Sequence, residues 1–568
     1  MALGSFLTRT IGVAGVLAAA VSPAAAQRPQ AGGERPSADT GGFVINDQLV
    51  IAKCQKCHAR DSTGHMGRLS YLRKTPEGWE ASVRRMASLA DVKLQPAEAR
   101  TIVKYLANKQ GLAPAEVKGA RFELERRLVD YRYTADGVTE RTCRACHSVG
   151  RVMLQRRTKN EWELLIATHR GYYPNSDFQA FRRMGPAGEG EPAPHPMDQA
   201  IAHLSKTYPL QTPEWTAWSA TMRPAPMEGS WALTGYEVGR GELFGRLSVT
   251  KVPGTDDEFT TRATYRFASG GAPVTREGKV VVYTGHQWRG RNGAPGATPD
   301  SSWREVLSIE PGWQEMSGRW FRGGYDEIGI DVSAERLTGG AQLLGVVPRA
   351  LKRGARDVEV TVFGANLPRG VTATTVDFGP GVSVGRVVRT SSDEVVVRVN
   401  VDADARIGNR DLVVGGVSLK DAVVAYDKVD RIKVAPNSNL ARVGGVRFPK
   451  QLARFEALGV SYGADGKPDT ADDITIGTVP VTWSLEEYGV TFKDDDIKWV
   501  GSLDQHGVFT PSLDGPNPER AGSRNNIGDV YVVASYQPEG SARPIKARSL
   551  LVVTVPLYMR WEPVKGAP

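Results

Sequence analysis

The thiol chemistry of this 568-residue chain rests on four cysteines, and they come in two pairs of identical spacing. They fall as Cys54-Gln55-Lys56-Cys57-His58 and Cys143-Arg144-Ala145-Cys146-His147. Each run is a C-x-x-C-H, the attachment signature of c-type haem. Two thiols three positions apart on a helical turn reach the two vinyl groups of one porphyrin and form thioethers. The next residue, His58 or His147, then stands under the iron as proximal ligand. A zinc half-site or a redox pair could use a single C-x-x-C. Two complete runs with no spare cysteine point to two covalent haems c, one on Cys54 and Cys57, the other on Cys143 and Cys146.

Both runs open an internal repeat, and the repeat locates the distal ligands. RLSYLRKTPEGWEASVRRM runs from Arg68 to Met86, and RVMLQRRTKNEWELLIATH from Arg151 to His169. Thr75 and Thr158 precede Trp79 and Trp162 by four residues, and Met86 and His169 lie seven beyond those tryptophans. The axial pairs are therefore read as His58 with Met86 and His147 with His169. Met184 competes with His169, because Phe181-Arg182-Arg183-Met184 echoes Val83-Arg84-Arg85-Met86. Met86 also reads as a core methionine on an apolar helix face. His65 and Met66 lie in an insertion absent from the second repeat and rank behind Met86. A thioether ligand stabilises ferrous iron and a second imidazole the ferric state, so electrons should enter at the bis-histidine haem and leave from the His/Met haem. Two six-coordinate irons offer no open position, which favours electron transfer over peroxidase or oxygen chemistry.

The elements that must hold these groups are helical. Val83 and Met86, and Leu165 and Ile166, are apolar at helical spacing, and helix-like stretches from Pro96 to Leu106 and Met197 to Leu204 close the repeats. That pattern predicts an α-helical tandem dihaem cytochrome c domain over residues 43–210. Beyond Pro209 the alternation has period two: Leu243 to Val249, Phe259 to Phe267 and Lys279 to Tyr283 read as antiparallel strands. The expected fold is therefore multidomain, with three all-β domains after the helical one. These are an antiparallel β-barrel domain at 211–343 and two immunoglobulin-like sandwiches at 344–428 and 429–568. No cysteine or catalytic cluster falls in them. Asp465 to Asp473 resembles a calcium loop in its acidic spacing but lacks the terminal glutamate, so a solvated hairpin loop is the plainer reading. His286 and His506 stand isolated in β regions and read as structural or exposed.

Residues 1–26 read as a signal peptide: an apolar run from Ile11 to Val21, small residues to Ala26, then a polar flank. Residues 27–42 follow as a flexible leader. Export to a bacterial periplasm is the expectation. No later apolar run reaches the ~18 residues of a membrane span. The charge balance, 72 basic against 63 acidic side chains and a formal +9, suits an acidic electron acceptor or partner subunit. The cations are dispersed, unlike a nucleic-acid-binding face.

Taken together, the signal peptide, the two C-x-x-C-H repeats and the three cysteine-free β domains resemble the α subunit of quinohemoprotein amine dehydrogenase. The resemblance implies a heterotrimer with a β-propeller subunit and a small subunit carrying cysteine tryptophylquinone, which oxidises primary amines to aldehydes and ammonia. The haems would pass the electrons to a periplasmic cytochrome c or a blue-copper protein. A cysteine-crosslinked tryptophan cofactor needs a thiol, and haem claims all four here. Despite its 12 tryptophans, the chain is thus expected to be the electron-transfer subunit and to hold no catalytic residues of its own. The rival readings are a stand-alone dihaem cytochrome c peroxidase-like enzyme, which needs a five-coordinate iron, and a surface electron conduit with adhesive immunoglobulin-like domains.

Overall fold

A computed structural model describes residues 41–118, 135–144, 149–182, 194–298, 301–322, 327–489 and 495–556. The signal peptide, all but the last two leader residues, Cys146, His147 and Met184 lie outside the described residues.

The N-terminal region is built from one motif used twice. The first copy holds α1 (Gln48–Cys54), β1 (Leu72–Lys74), α2 (Pro76–Leu89) and α3 (Pro96–Lys109), followed by α4 (Pro114–Val117). The second holds α5 (Gly137–Arg144), α6 (Gly150–Met153), β2 (Gln155–Arg157), α7 (Lys159–Tyr172), α8 (Ser176–Gln179) and α9 (Pro196–Thr207), with α10 (Pro213–Thr221) leading out. The repeated Thr and Trp explain the shared geometry. The Thr75 hydroxyl accepts from the Gly78 amide at 3.3 Å, and the Thr158 hydroxyl from the Glu161 amide at 3.2 Å, so each caps its helix. Trp79 Nε1 donates to the Gln110 carbonyl and Trp162 Nε1 to the Tyr208 carbonyl, at 3.1 and 3.3 Å, tying α2 to the end of α3 and α7 to the end of α9. β1 and β2 pair antiparallel with Arg73 opposite Arg156, which are equivalent residues of the repeat, so a local two-fold runs between them.

The expectation of an α-helical tandem cytochrome c domain ahead of three all-β domains is corrected at this point. The chain is mostly β, 41% strand against 21% helix with ten helices among the described residues, and no helical tandem cytochrome domain is shown. The helices are short, from four residues in α4 to 14 in α2. The two copies share a sheet, and the apolar core of the first continues into Val281 and Tyr283 of the next domain. Helical periodicity in isolated stretches could not reveal that the first copy's core is completed by strand residues of the next domain. Among the described residues no helix is long and apolar enough to cross a membrane.

The next domain is a closed eight-stranded barrel. Its strands are β3 (Gly229–Glu237), β4 (Gly241–Lys251), β5 (Glu258–Phe267), β6 (Val274–Tyr283), β7 (Gln287–Gly293), β8 (Trp303–Ile309), β9 (Glu315–Arg322) and β10 (Ile328–Arg336), with β10 returning to β3. Alternating residues fill the interior, among them Trp231, Leu247, Phe259, Trp288, Leu307 and Trp320, so the barrel is packed with side chains. It supports the N-terminal region through polar contacts as well as apolar ones. Lys104 pairs with Asp257 at 2.7 Å, Arg289 with Glu77, and the Thr284 amide donates to Asn108 at 2.7 Å.

Residues 342–426 form two four-stranded sheets over a valine-rich core. Residues 431–554 form sheets of three, four and three strands around Phe455, Trp483 and Phe509. The acidic loop lies here. Asp472 accepts the amides of Ala464 and Asp465 at 2.7 and 3.1 Å, while Asp469 and Asp473 each pair with Arg431 at 2.8 Å. Its carboxylates are therefore engaged by the loop's own amides and by one arginine.

Candidate haem-attachment site

Asp47 caps α1 by accepting the Val50 amide at 2.9 Å, and the helix ends at Cys54. The Cys54 carbonyl then receives the Cys57 amide at 3.2 Å and the His58 amide at 2.9 Å. This single turn sets two sulfurs and an imidazole on one short stretch of backbone. Cys54, Cys57 and Cys143 are all free thiols. Burial, and then the neighbouring Cys57, push the Cys54 thiol up to about 11. Burial, and then Asp136, push Cys143, at the foot of the second core, up to about 12.

Two of the histidines expected to bind iron, His58 and His169, each have Nδ1 against a backbone carbonyl. His58 Nδ1 lies 2.8 Å from the Gly67 carbonyl. A carbonyl can only accept, so Nδ1 carries the proton and Nε2 the lone pair, the arrangement of a metal-ligating imidazole with its outer partner in place. His169 repeats the device within α7, its Nδ1 2.8 Å from the Leu165 carbonyl. Burial lowers the His169 pKa, and the guanidiniums of Arg151, Arg85 and Arg157 lower it further, against the bond to Leu165. The ring is thereby kept neutral. Met86 is half-buried at the equivalent place in α2, where its carbonyl receives the amides of Ala90 and Val92.

The remaining ligand candidates divide clearly. His65 is committed on both nitrogens, to the Thr63 hydroxyl at 2.7 Å and the Gly42 carbonyl at 3.0 Å. Met66 is wholly buried in the first core, and Cys54 packs on the edge of that core. Cys146 and His147, which complete the second attachment run, and Met184, the alternative to His169, are outside the described residues. His195 caps α9, and His286 is buried with Nε2 donating to the Leu112 carbonyl at 2.9 Å. The fit to haem thus rests on the Cys54–His58 turn, the half-buried Cys143 and the orientation of His169.

A charged seam between the copies was not anticipated. Arg73, fully buried, forms a two-pronged pair with Glu116 at 2.8 Å on each side, and Arg156 reaches the same carboxylate at 3.0 Å. Glu161 receives Arg157 at 3.5 Å and Arg68 at 3.0 Å. Lys74 donates to the Ser82 hydroxyl at 2.6 Å and lies 5.5 Å over the Trp79 ring, as Arg157 lies 5.6 Å over Trp162. The signal was present: Arg73-Lys74-Thr75 and Arg156-Arg157-Thr158 are the same basic pair before the same cap.

Comparison with known proteins covers nearly the whole described chain. Four family profiles match in succession. The quinohemoprotein amine dehydrogenase A alpha-subunit haem-binding family matches residues 44–215, and alpha-subunit domains II, III and IV match 224–337, 340–427 and 432–565. No curated protein matches. Among solved structures, a redesigned β-barrel is 14% identical, covers 21% of this chain and 97% of its own, and has a TM-score of 0.18. A de novo fluorescence-activating β-barrel is 18% identical, covers 19% and 93%, and scores 0.16. InvD of Yersinia pseudotuberculosis is 14% identical, covers 38% and 57%, and scores 0.12. Likenesses this slight carry no functional information. With a haem-binding region and domains II to IV matched in order, the chain belongs to the quinohemoprotein amine dehydrogenase alpha-subunit family.

Proposed function

We propose that this chain is the dihaem c electron-transfer subunit of a periplasmic quinohemoprotein amine dehydrogenase. In this reading it takes electrons from a cysteine tryptophylquinone on a partner subunit during oxidative deamination of primary amines. It hands them to a cytochrome c or blue-copper acceptor. The observation that carries the reading is the Cys54–His58 turn, with His58 Nδ1 held by the Gly67 carbonyl, together with the equivalent setting of His169. Bound haem supplies reversible one-electron chemistry at its iron.

The residues of the chain have separate tasks. Cys54 and Cys57 tether the first porphyrin, and Cys143 and Cys146 the second. His58 and His147 are proximal ligands, while Met86 and His169 are distal, with Met184 as the alternative to His169. All four thiols are then occupied, so the quinone and the substrate-oxidising groups belong to a small partner chain, assembled with a β-propeller subunit. Export by the segment 1–26 places the whole in the periplasm, where haem c is attached and acceptor proteins are available. Isolation of the native complex from periplasm tests this. A small quinone-bearing chain should co-purify and reduce the haems when amine is added. A lone chain that oxidises amine or peroxide unaided would overturn the proposal.

A further inference from the structure

The hairpin that joins β6 to β7 reaches out of the barrel into the first copy of the repeat. Its tip turns through Thr284 and Gly285, at φ 56° and 70°, and the His286 amide donates to the Tyr283 carbonyl at 3.2 Å. A β-branched residue stays in the left-handed region only where its surroundings hold it there. Thr284 is buried, and its amide donates to Asn108 Oδ1 at 2.7 Å, its hydroxyl to the Ala107 carbonyl at 3.3 Å, and its carbonyl accepts from Trp218 Nε1 at 2.9 Å. His286 Nε2 adds a bond of 2.9 Å to the Leu112 carbonyl. A Cβ at Gly111 would lie 2.8 Å from the Thr284 hydroxyl oxygen and 2.9 Å from its methyl, so the end of α3 is shaped to receive the tip.

The same stretch, residues 107–112, also fixes α2. The Gln110 carbonyl accepts the Lys74 amide at 3.0 Å and Trp79 Nε1 at 3.1 Å. Trp79, Val83 and Met86 stand at i, i+4 and i+7, on one face of α2. Trp79 and Val83 share an apolar core with Ala107 and with Val281 and Tyr283 of β6, and Arg289 of β7 pairs with Glu77 in the first turn of α2. The second copy is supported differently. Among the described residues its core draws only on side chains from Cys143 to Tyr208, and none comes from the barrel.

We propose that the β6–β7 hairpin is a positioning element for the first haem alone: Thr284, through Asn108 and the end of α3, sets the face of α2 that presents Met86 to the iron. The inference rests on the proposed dihaem reading, with His58 and Met86 as the first axial pair. A methionine side chain has three rotatable bonds, so the backbone behind it decides whether its sulfur stays in reach of a metal. His169 is oriented within its own helix by the Leu165 carbonyl, without the barrel.

The test is optical spectroscopy of the exported holoprotein, with the second haem as internal control. Asn108→Leu removes the acceptor of the Thr284 amide. Added imidazole should then displace the methionine from the first iron at about tenfold lower concentration, the worth of about one hydrogen bond, read as loss of the far-red methionine–iron charge-transfer band. The spectrum and potential of the bis-histidine haem should not move. Asn108→Asp keeps a carboxyl oxygen as acceptor and should titrate as wild type. An Asn108→Leu protein with an unchanged imidazole titration would overturn the inference, and so would equal disturbance of both haems. If Asn108→Leu yields no haem-loaded protein, Thr284→Val and Thr284→Ser decide: valine removes the bond to Ala107 and should ease displacement, serine keeps it, and no difference between them overturns the inference. Wild-type protein without a methionine–iron band would instead overturn the ligand assignment beneath it.

Discussion

Replacing Glu116 by glutamine should unfold the N-terminal region earlier, by an amount the geometry allows to be worked out. The Glu116 carboxylate is 3% exposed, holds Arg73 by two hydrogen bonds of 2.8 Å and faces Arg156 Nε as an ion pair at 3.0 Å. It also receives the Ala113 amide at 2.8 Å and the Thr212 hydroxyl at 2.9 Å. Glutamine keeps the shape but leaves two buried guanidiniums without a counter-charge and turns a donor toward one of them. Removing one partner of a buried ion pair costs about 3–5 kcal/mol. In a domain of 150–250 residues each kcal/mol moves the midpoint by about 2–4 °C, so a fall of roughly 10 °C is expected.

The acid limb gives a second, independent magnitude. Burial alone would raise the Glu116 pKa, but Arg73 and Arg156 overcome it and hold the carboxyl at about 2. The unfolded value is about 4.3, so as pH falls the unfolded chain takes up the proton first. The stabilisation is complete above about pH 4.3 and is lost as pH falls toward 2. At about 1.4 kcal/mol per pH unit the shift is worth about 3 kcal/mol, in line with the pair-breaking figure. Melts of wild type and Glu116→Gln, followed by near-ultraviolet circular dichroism of the buried tryptophans, would measure both. A gap under about 1 kcal/mol at pH 7, or one that persists undiminished near pH 2.5, would refute the reasoning.

Met86→His should lower the potential of the first haem and His169→Met should raise that of the second; in redox titration, a His169→Met protein with an unaltered second potential would transfer the ligand role to Met184. Thr75→Ala and Thr158→Ala remove equivalent caps and should each cost about 1 kcal/mol in denaturant unfolding, with matching magnitudes if the two copies are energetically alike. Burial holds His286 at about 4, so the unfolded chain, with a value near 6.5, binds the proton first. Stability from this group is complete above about pH 6.5 and is lost as pH falls toward 4, and His286→Phe should flatten that part of the stability profile.

The repeat was legible because its signals are local. A capping Thr, an indole four residues on and Met86 or His169 seven beyond that all fall within one helical pattern, and α2 and α7 carry the same cap and indole geometry. The turn from Cys54 to His58 is local for the same reason, since the Cys54 carbonyl receives the amides of residues three and four positions ahead. The fold of the N-terminal region was misjudged because its deciding contacts are distant in sequence. Arg73 meets Glu116, Arg68 meets Glu161 and Lys104 meets Asp257, and no periodicity carries such pairs. The pairing of β1 with β2 escaped notice because three-residue strands leave too short an alternation to detect. The acidic loop shows the same limit: its arginine, Arg431, comes from the strand that opens the last domain.

The intact mass of the chain isolated from periplasm, taken after denaturation and acid extraction, tests the account most directly. Two porphyrins still bonded to the polypeptide, with peptide mapping placing them on Cys54 and Cys57 and on Cys143 and Cys146, is the predicted result. A mass without haem, with one haem only, or with haem that the extraction removes would contradict it.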